Sequence, residues 1–452
     1  MSNNGQSAKR ASFSGKIGYV LAVAGSAVGL GNIWRFPYLA AKYGGGIFLL
    51  VYLILTVSFG YVLIMSETAL GRMTRKSPVG AFQTFGKTKS FKIGGWLNAI
   101  IPMLIVPYYS SIGGWVIKYL AEYLKGNVQT VAQDGYFTEF ISDSFQVEAW
   151  FIVFAILVFC VILAGVENGI ERVSKIMMPI LVILAVIVAI YSVTRPGAIE
   201  GVKYFLIPNP KHFSAMTVVA AMGQMFYSMS LAMGIMITYG SYTKDEVSIV
   251  KSVNQIEIFD TGIAILAGMM VVPAVYIFSG EAGTSQSGAG LMFVTLPNVF
   301  DSMSGGQIVG TVFFVLVALA ALTSSISLME TVVSIMCERF KLKRVTSCLI
   351  VIAFSFLLGM VSIFGYSIWS DFTIFKMQML DFFDFVSNNI MMPVVALMTC
   401  ILIGFVVKSK YIEDEIELNA KFKSRTLYRI MIKYICPACM VVILLSSLFL
   451  SL

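Results

Sequence analysis

Residues 25–37 read GSAVGLGNIWRFP, and this stretch decides the fold. It lies in the first apolar segment of the chain, yet it contains three glycines and the polar side chains of Asn32 and Arg35. Within a bilayer each unpaired backbone N–H or C=O costs several kcal/mol, so irregular backbone persists only where protein buries it or where it lines a cavity. An arginine near the bilayer centre costs at least about 2.5 kcal/mol. The stretch therefore predicts a helix that breaks inside the membrane and frames a polar site.

The composition and the hydropathy pattern predict an all-α integral membrane protein. Of the 452 residues, 58% are hydrophobic and 12% are charged, and the mean hydropathy is +0.85. Apolar segments of roughly the 20 residues that cross a bilayer recur along the chain. There are eleven of them, at 17–42, 47–71, 94–120, 148–165, 172–193, 213–240, 247–279, 305–337, 345–366, 378–407 and 429–451. Because no soluble module interrupts them, residues 1–452 are expected to form a single transmembrane domain.

The distribution of lysine and arginine predicts the orientation. Basic residues cluster in the N-terminal segment 1–16 and in the loops after the second, eighth and tenth segments, whereas loops 121–147 and 280–304 lean acidic. Since basic loops stay in the cytoplasm, the N-terminus is expected there, and the odd number of spans places the C-terminus outside. The net charge of +8 is thus a signal of topology. No nucleic-acid partner is expected, because no basic face is combined with base-stacking aromatic residues.

Residues 223–234 read GQMFYSMSLAMG and interrupt the sixth segment in the same way. Small residues in a membrane helix usually indicate close helix packing. Two breaks five spans apart favour instead two inverted repeats of five helices, each beginning with a discontinuous helix. The repeats would cover 17–193 and 213–407, and 429–451 would add an eleventh helix. The ends of half-helices suit a substrate carboxylate and a cation, so the pattern predicts a transporter. A single histidine offers little to an enzyme.

By these motifs the chain resembles the neurotransmitter:sodium symporter family, in particular its bacterial amino-acid transporters with eleven spans. The likeness is carried by both broken segments, by Tyr108-Tyr109, by Asp260 and by residues 320–325, AALTSS, and it covers nearly the whole chain. The resemblance implies the leucine-transporter fold and symport of sodium with an amino acid by alternating access. We expect a multi-pass protein of the plasma membrane of a bacterium, embedded in the lipid bilayer as a monomer or a homodimer.

The resemblance also implies two sodium ions, each held by hard oxygen ligands. Besides the substrate carboxylate, the first site would take the residues Ala27, Asn32, Ser228 and Asp260. The second site would take the carbonyls of Gly25, Val28 and Ala320 and the hydroxyls of Thr323 and Ser324. Hydroxyls in mid-helix also bond back to their own helix, and this alternative stays open for the last two residues.

Two positions refine the expected substrate and anion requirement. Gly29 stands where the family's monoamine transporters carry an aspartate that pairs with the amine, so the substrate is expected to bring its own carboxylate and to be an amino acid. Asp260 stands where the family usually has asparagine, and Ala264, one turn on, offers no polar group to an anion. Since a second negative charge in a low-dielectric site is costly, we expect no chloride requirement. The alternative for Asp260 is a solvated aspartate at the cytoplasmic end of its span.

The implied substrate site surrounds both breaks. The substrate carboxylate would meet the N–H groups of Leu30 and Gly31 and the hydroxyl of Tyr109. Its ammonium would meet carbonyls near Ala27, Tyr227, Ser228 and Ser230. The side-chain pocket would be lined by Ile105, Tyr109, Tyr227, Met233, Ser325 and Leu328. Met233 replaces a phenylalanine of the family's leucine transporter, and its flexible thioether can move aside for a bulkier guest. We therefore expect tyrosine, tryptophan and phenylalanine ahead of leucine.

Charged and polar side chains flank this site as candidate gates. The outer gate is expected to consist of Arg35 and Asp384, with Gln224 nearby, and the inner gate of Arg10 and Glu338, bridged by Tyr242. Glu67, an acid in the second span, is interpreted as structural and bonded to backbone near the break of the first span. The alternative to a symporter is a sensor that binds an amino acid with sodium but transports nothing.

Overall fold

The computed structural model of the protein describes residues 11–279 and 289–450. Apart from two isolated β-bridges, the regular elements in these ranges are helices, which confirms the predicted all-α class. We label the spanning helices and half-helices α1a (Lys16–Ala27), α1b (Gly31–Lys42), α2 (Gly46–Thr74), α3 (Lys89–Lys125), α4 (Ser144–Leu163), α5 (Val166–Val193), α6a (Ala215–Ser228), α6b (Ile235–Tyr242), α7 (Ile249–Ser279), α8 (Gly306–Arg339), α9 (Arg344–Phe364), α10 (Met379–Asn419) and α11 (Arg425–Ser446). Short helices connect them at Pro78–Phe85, Val128–Val131, Tyr136–Ser142, Ala198–Leu206 and Leu296–Ser302.

Each predicted apolar segment coincides with one of these helices or with a pair of half-helices. In the described ranges, nine helices are long and apolar enough to cross a membrane, and α1a with α1b adds a tenth span that is bent by 46°. The halves α6a and α6b have 14 and 8 residues, so neither crosses alone. Helix α10 extends beyond residue 407, the expected end of the tenth segment. At Lys408, with φ of +68°, the chain changes direction and then continues as the short helix Ser409–Ile416.

The break in the first span depends on glycines that admit close neighbours. A Cβ at Gly29 would lie 2.2 Å from the Ser324 hydroxyl oxygen and 2.9 Å from the Tyr109 hydroxyl oxygen. A Cβ at Gly31 would lie 2.7 Å from the Tyr227 ring. The glycines therefore bring the backbone of the break against α3, α6a and α8, where any side chain would push these helices apart.

The break in the sixth span is held by contacts from other helices. Ser230 and Ala232 adopt φ of +53° and +57°, a region that costs non-glycine residues energy. The N–H of Ala232 donates to Glu67 Oε1 at 3.0 Å, and the Ser230 and Ser26 hydroxyls lie 3.0 Å apart. Our interpretation of Glu67 was thus wrong in one respect, because this acid binds the break of the sixth span and not that of the first. The reason is close packing of α2 on α6b, where a Cβ at Gly71 would lie 2.0 Å from the Ile237 carbonyl oxygen.

Candidate functional site

A narrow cavity lies between the two breaks and the helices α3 and α8. Its volume is about 20 Å³, which leaves room for about one water molecule. The wall consists of Ser26, Ala27, Gly29, Gly31, Ile105, Tyr109, Tyr227, Ser228, Ser230, Met233, Ile235, Ser324 and Leu328. Most of the predicted substrate residues are among them. Ser325 and Leu30 are not on this wall, whereas Ser324, the neighbour of Ser325, is. Any bulky ligand would have to widen the cavity.

The predicted first sodium site is assembled around Asp260. The Asn32 amide donates to Asp260 Oδ1 at 2.7 Å and to its carbonyl at 3.2 Å. The Tyr52 hydroxyl donates to Asp260 Oδ2 at 2.8 Å and lies 3.0 Å from the Ser228 hydroxyl. Asp260 is fully buried, which excludes the solvated aspartate considered as an alternative. The Asn32 Oδ1 atom is buried without a hydrogen-bond partner in the described part of the chain, so an oxygen ligand is left over, as a cation site requires.

Tyr52 belongs to this candidate site, although the sequence did not reveal it. It lies in the N-terminal part of α2 and is fully buried, and it joins Ser228 of one break to the carboxylate of Asp260 on α7. A tyrosine within an apolar span is a weak signal, because such residues also occur in ordinary helix packing. Only its hydrogen bond to Asp260 places Tyr52 in the candidate site.

The predicted second sodium site lies where α1a meets α8. A Cβ at Gly25 would lie 3.3 Å from Thr323 Cβ, and the Ser324 hydroxyl donates to the Ser26 carbonyl at 3.0 Å. The Thr323 hydroxyl donates to the carbonyls of Leu319 and Ala320, each at 3.1 Å, as the alternative of bonding back to the helix predicted. A hydroxyl that donates its proton keeps lone pairs that can accept, so these bonds are compatible with a cation. The residues named for this site are all buried.

The backbone of the first break presents a polar group to Tyr109. The Leu30 N–H donates to the Tyr109 hydroxyl at 3.0 Å. The side chain of Gln224 donates to the Gly31 carbonyl at 2.7 Å, so this residue supports the break itself. A free carboxylate could take the place of the Tyr109 oxygen, because both are hydrogen-bond acceptors.

A second, larger cavity shares Tyr227 with the first and contains the expected outer gate. Its volume is about 330 Å³, and Arg35 and Asp384 both line it. Asp384 accepts hydrogen bonds from the Tyr108 hydroxyl at 3.0 Å and from the Asn388 amide at 2.5 Å. The Arg35 guanidinium lies 5.1 Å from the centre of the Tyr227 ring, and its Nη1 is buried without a partner in the described ranges. Arg35 and Asp384 thus face one cavity without forming a direct ion pair.

On the opposite side, the expected inner gate lies only partly within the described residues. Arg10 lies outside the described residues. Glu338 accepts the Ser77 N–H at 2.6 Å. The Tyr242 hydroxyl, expected to bridge Arg10 and Glu338, donates to Glu330 Oε1 at 2.8 Å. Tyr242 also contacts Phe13, whose ring is buried against it.

Glu330 and Arg344 form an ion pair that sequence analysis missed. Arg344 Nη2 lies 2.5 Å from Glu330 Oε2 and donates to the Ile162 carbonyl at 2.7 Å. The pair therefore connects α8 and α9 to the C-terminal end of α4 and, through Tyr242, to α6b. The available signal was a carboxylate in the otherwise uncharged part of α8, and such a residue requires a partner.

The sequence profile of the sodium:neurotransmitter symporter family matches residues 10–133 and 121–451. The chain belongs to this family. An uncharacterized sodium-dependent transporter of Haemophilus influenzae is 32% identical over 98% of this chain and 99% of the relative. The sodium-dependent transporter YhdH of Bacillus subtilis is 32% identical over 97% of this chain and 98% of the length of YhdH. The sodium- and chloride-dependent GABA transporter 2 of Rattus norvegicus is 25% identical over 97% of this chain and 80% of the length of that transporter.

The fold of this symporter is similar to that of a solved relative. The crystal structure of MhsT in complex with L-phenylalanine matches with a TM-score of 0.89 and 33% identity, over 97% of this chain and 100% of MhsT. This match confirms the leucine-transporter fold expected from the sequence. Together with the relatives it identifies the chain as a multi-pass, sodium-dependent membrane transporter.

Proposed function

We propose that this symporter imports a hydrophobic amino acid, preferably an aromatic one, together with sodium by alternating access. The observation that carries the proposal is the convergence of both helix breaks on one cavity, together with the buried Asn32 Oδ1, which has no hydrogen-bond partner among the described residues. A substrate carboxylate at the first break would complete the ligands of a sodium ion there, so that substrate and ion bind together.

Two sodium ions fit the arrangement of oxygen atoms. The first would be held by the Ala27 carbonyl with Asn32, Ser228 and Asp260. The second would be held where α1a meets α8, by the carbonyls of Gly25, Val28 and Ala320 and the hydroxyls of Thr323 and Ser324. Each ion that moves inward contributes about 2.3 kcal/mol per 100 mV of membrane potential, which can drive accumulation of a zwitterion.

Close packing around Gly29 supports an amino acid over an amine. An aspartate at this position could pair with an amine, but a Cβ there would already lie 2.2 Å from the Ser324 oxygen. The site therefore has no room for a carboxylate of its own at residue 29. The substrate would supply the carboxylate and present it to Leu30, Gly31 and Tyr109.

The apolar part of the cavity supports a large hydrophobic side chain. Ile105, Met233 and Leu328 contribute to its wall, and the thioether of Met233 is flexible enough to make room for a ring. MhsT, which is 33% identical, was solved with L-phenylalanine. We expect tyrosine, tryptophan and phenylalanine ahead of leucine, by the about 1–3 kcal/mol that such a pocket can distinguish.

The surroundings of Asp260 support transport without chloride. Both of its carboxylate oxygens accept hydrogen bonds, from Asn32 and from Tyr52, as suits the ionised form. Ala264, one turn further along α7, is buried and has no polar group. A chloride ion here would repel the carboxylate. Asp260 thus supplies the negative charge that an anion would otherwise provide.

The proposal includes the orientation and the gates. The N-terminus would lie in the cytoplasm and the C-terminus outside the plasma membrane of a bacterium. Arg35 and Asp384 would approach each other when the outer cavity closes, and residues around Glu338 and Tyr242 would separate when the inner side opens.

Uptake into proteoliposomes tests the proposal. Labelled phenylalanine, tyrosine, tryptophan and leucine are offered under inward gradients of sodium, potassium or protons. We expect accumulation that requires sodium and is abolished by Asn32→Ala, whereas Asn254→Ala, which alters an exposed asparagine on α7, leaves it intact. Sodium-dependent binding without accumulation would indicate the sensor instead. Accumulation that is indifferent to sodium would overturn the ion sites.

A further inference from the structure

The half-helix α1a has no cap of its own. It begins at Lys16 after Gly15, which has no side chain, and its first turn contains no acidic residue. The first turn of any helix has free N–H groups and a partial positive charge, and Lys16 adds to that charge. A compensating negative group must therefore come from elsewhere in the molecule.

Glu171 of α5 is the group that lies there. Its side chain is 2% exposed, and its Oε2 accepts the Ser14 N–H at 2.8 Å. The Ser14 hydroxyl also donates to it, and Lys175 Nζ lies 2.6 Å from Oε1. The carboxylate rests directly on α1a, because a Cβ at Gly18 would lie 2.2 Å from its carboxyl carbon. Glu171 thus binds the residue before the N-cap of α1a and lies against the first turn of this helix, although it belongs to a different span.

The chain before α1a is held from a second direction as well. Lys244 Nζ donates to the Ser14 carbonyl at 3.0 Å, and the Phe13 N–H donates to the Tyr242 carbonyl at 3.1 Å. Residues 13 and 14 are therefore clamped between the start of α5 and the end of α6b. Of these contacts, only the one with Glu171 places a buried charge against the helix.

The far end of α1a forms part of the transport site. This 12-residue helix ends at Ala27, and a Cβ at Gly25 would lie 3.5 Å from the Met178 sulfur of α5. The same two helices thus meet at Glu171 and again beside the residues named for the second sodium ion. Separation at the first contact would expose the second.

We propose that Glu171 is a positioning residue that docks α1a on α5 and keeps the sodium and substrate sites closed on the side of the N-terminus. Release of the bound solutes on that side requires the contact between Glu171 and Ser14 to open. This inference rests on the proposed function, because it assigns a role to closure of that site. The negative charge of Glu171 is the essential feature, since among the contacts of residues 13 and 14 described above it is the one that opposes the charge of the helix end.

The test is Glu171→Gln in the full-length protein in lipid nanodiscs, because glutamine keeps the size and removes the charge. Glu167→Gln is the matched control, since Glu167 lies in the same π-helical turn but is exposed. Hydrogen exchange is measured over residues 11–27 and 164–180, and binding of labelled phenylalanine is measured against sodium concentration.

We expect faster exchange in both segments of Glu171→Gln, by roughly 5- to 30-fold, as loss of one charged contact predicts. The sodium concentration for half-maximal binding should rise, because sodium binding must then also dock α1a on α5, which Glu171 does in the wild type. Glu167→Gln should match the wild type. If Glu171 only stabilised the fold, Glu171→Gln would leave the sodium dependence unchanged. Any faster exchange would then not be confined to these two segments.

Exchange and sodium dependence within twofold of the wild type would overturn the proposal. Should Glu171→Gln fail to fold, Ser14→Ala removes one hydrogen bond and keeps the pair with Lys175, and an unchanged exchange rate there would equally overturn it. If no amino acid binds with sodium to the wild type, the proposed function fails. Exchange in Glu171→Gln would still decide whether the contact holds α1a.

Discussion

Gly29 is the most tightly constrained residue of the site, because two hydroxyl oxygens lie within 2.9 Å of the position its Cβ would occupy. The constraint is one of space, since the backbone there is not in the left-handed region. A single added carbon must therefore displace α8 or α3, and both contribute to the cavity.

Gly29→Ala is expected to weaken sodium-dependent amino-acid binding. Overpacking costs about 1–3 kcal/mol, which corresponds to roughly a 5- to 150-fold loss of affinity. Gly223→Ala in α6a is the control, because a Cβ there would meet nothing within 4 Å. Equal affinities of the two variants, measured by equilibrium binding, would show that the crowding around Gly29 does not matter.

Asp260→Asn is expected to make uptake depend on chloride. The substitution keeps the shape of the side chain and removes the charge that balances the first sodium ion, so an added anion should restore part of the loss. Uptake is compared in chloride and in gluconate, where the wild type should not differ and the variant should fall several-fold in gluconate. Asp371→Asn, at an exposed position, controls for the loss of one charge. A wild type that needs chloride would contradict this assignment.

Among the elements, the break of α6 depends most on another helix. Ser230 and Ala232 are held in left-handed conformations, and α2 supplies the acceptor for the Ala232 N–H through Glu67. Backbone groups freed by a break inside a membrane must find partners within the protein. The acid in α2 is therefore part of the break, although 165 residues separate it from Ala232.

Glu67→Ala is expected to destabilise the protein by about 1–3 kcal/mol, because it leaves the Ala232 N–H buried without an acceptor. Glu67→Gln keeps an acceptor oxygen at the same place and should remain close to the wild type. Thermal unfolding in detergent, followed by tryptophan fluorescence, measures both. A glutamine variant as unstable as the alanine variant would mean that the charge and not the hydrogen bond matters.

At the scale of the whole molecule, the two sides of the site differ. The outer side has a cavity of about 330 Å³, while on the side of the N-terminus Phe13 is buried among Tyr19, Tyr239 and Tyr242. The structure thus corresponds to a form that is wider on the outer-cavity side. Closing Arg35 onto Asp384 and opening the contacts around Phe13 would convert it to the opposite form.

Sodium and amino acid are expected to strengthen each other's binding by the same factor, because equilibrium coupling is reciprocal. A shared contact between the substrate carboxylate and the first ion should give roughly a 5- to 150-fold effect. Isothermal titration of each ligand at several fixed concentrations of the other measures the two factors. Asn32→Ala should reduce both of them together. Affinities that do not change in either direction would contradict the shared contact.

Much of the site could be predicted from the sequence, but not how its parts are bonded. Asn32, Ser228 and Asp260 were recognisable as polar residues in apolar spans, and the structure brings them together. Tyr52 and Glu330 were not recognised, since one buried tyrosine or acid has many ordinary roles. Tyr242 is expected to bridge Arg10 and Glu338, and its hydroxyl also donates to Glu330, a contact that the spacing of two acids on one helix does not reveal.

The sequence by itself determined the order of the apolar segments, the two breaks and the family. Hydropathy and glycine-rich polar stretches act locally, so these features can be recognised in a few consecutive residues. Only the tertiary structure decided which side chains meet. Tyr52 and Asp260 are 208 residues apart, and Ser14 and Glu171 are 157 apart. Such pairs form where helices cross, and the crossings are set by the packing of all the spans together.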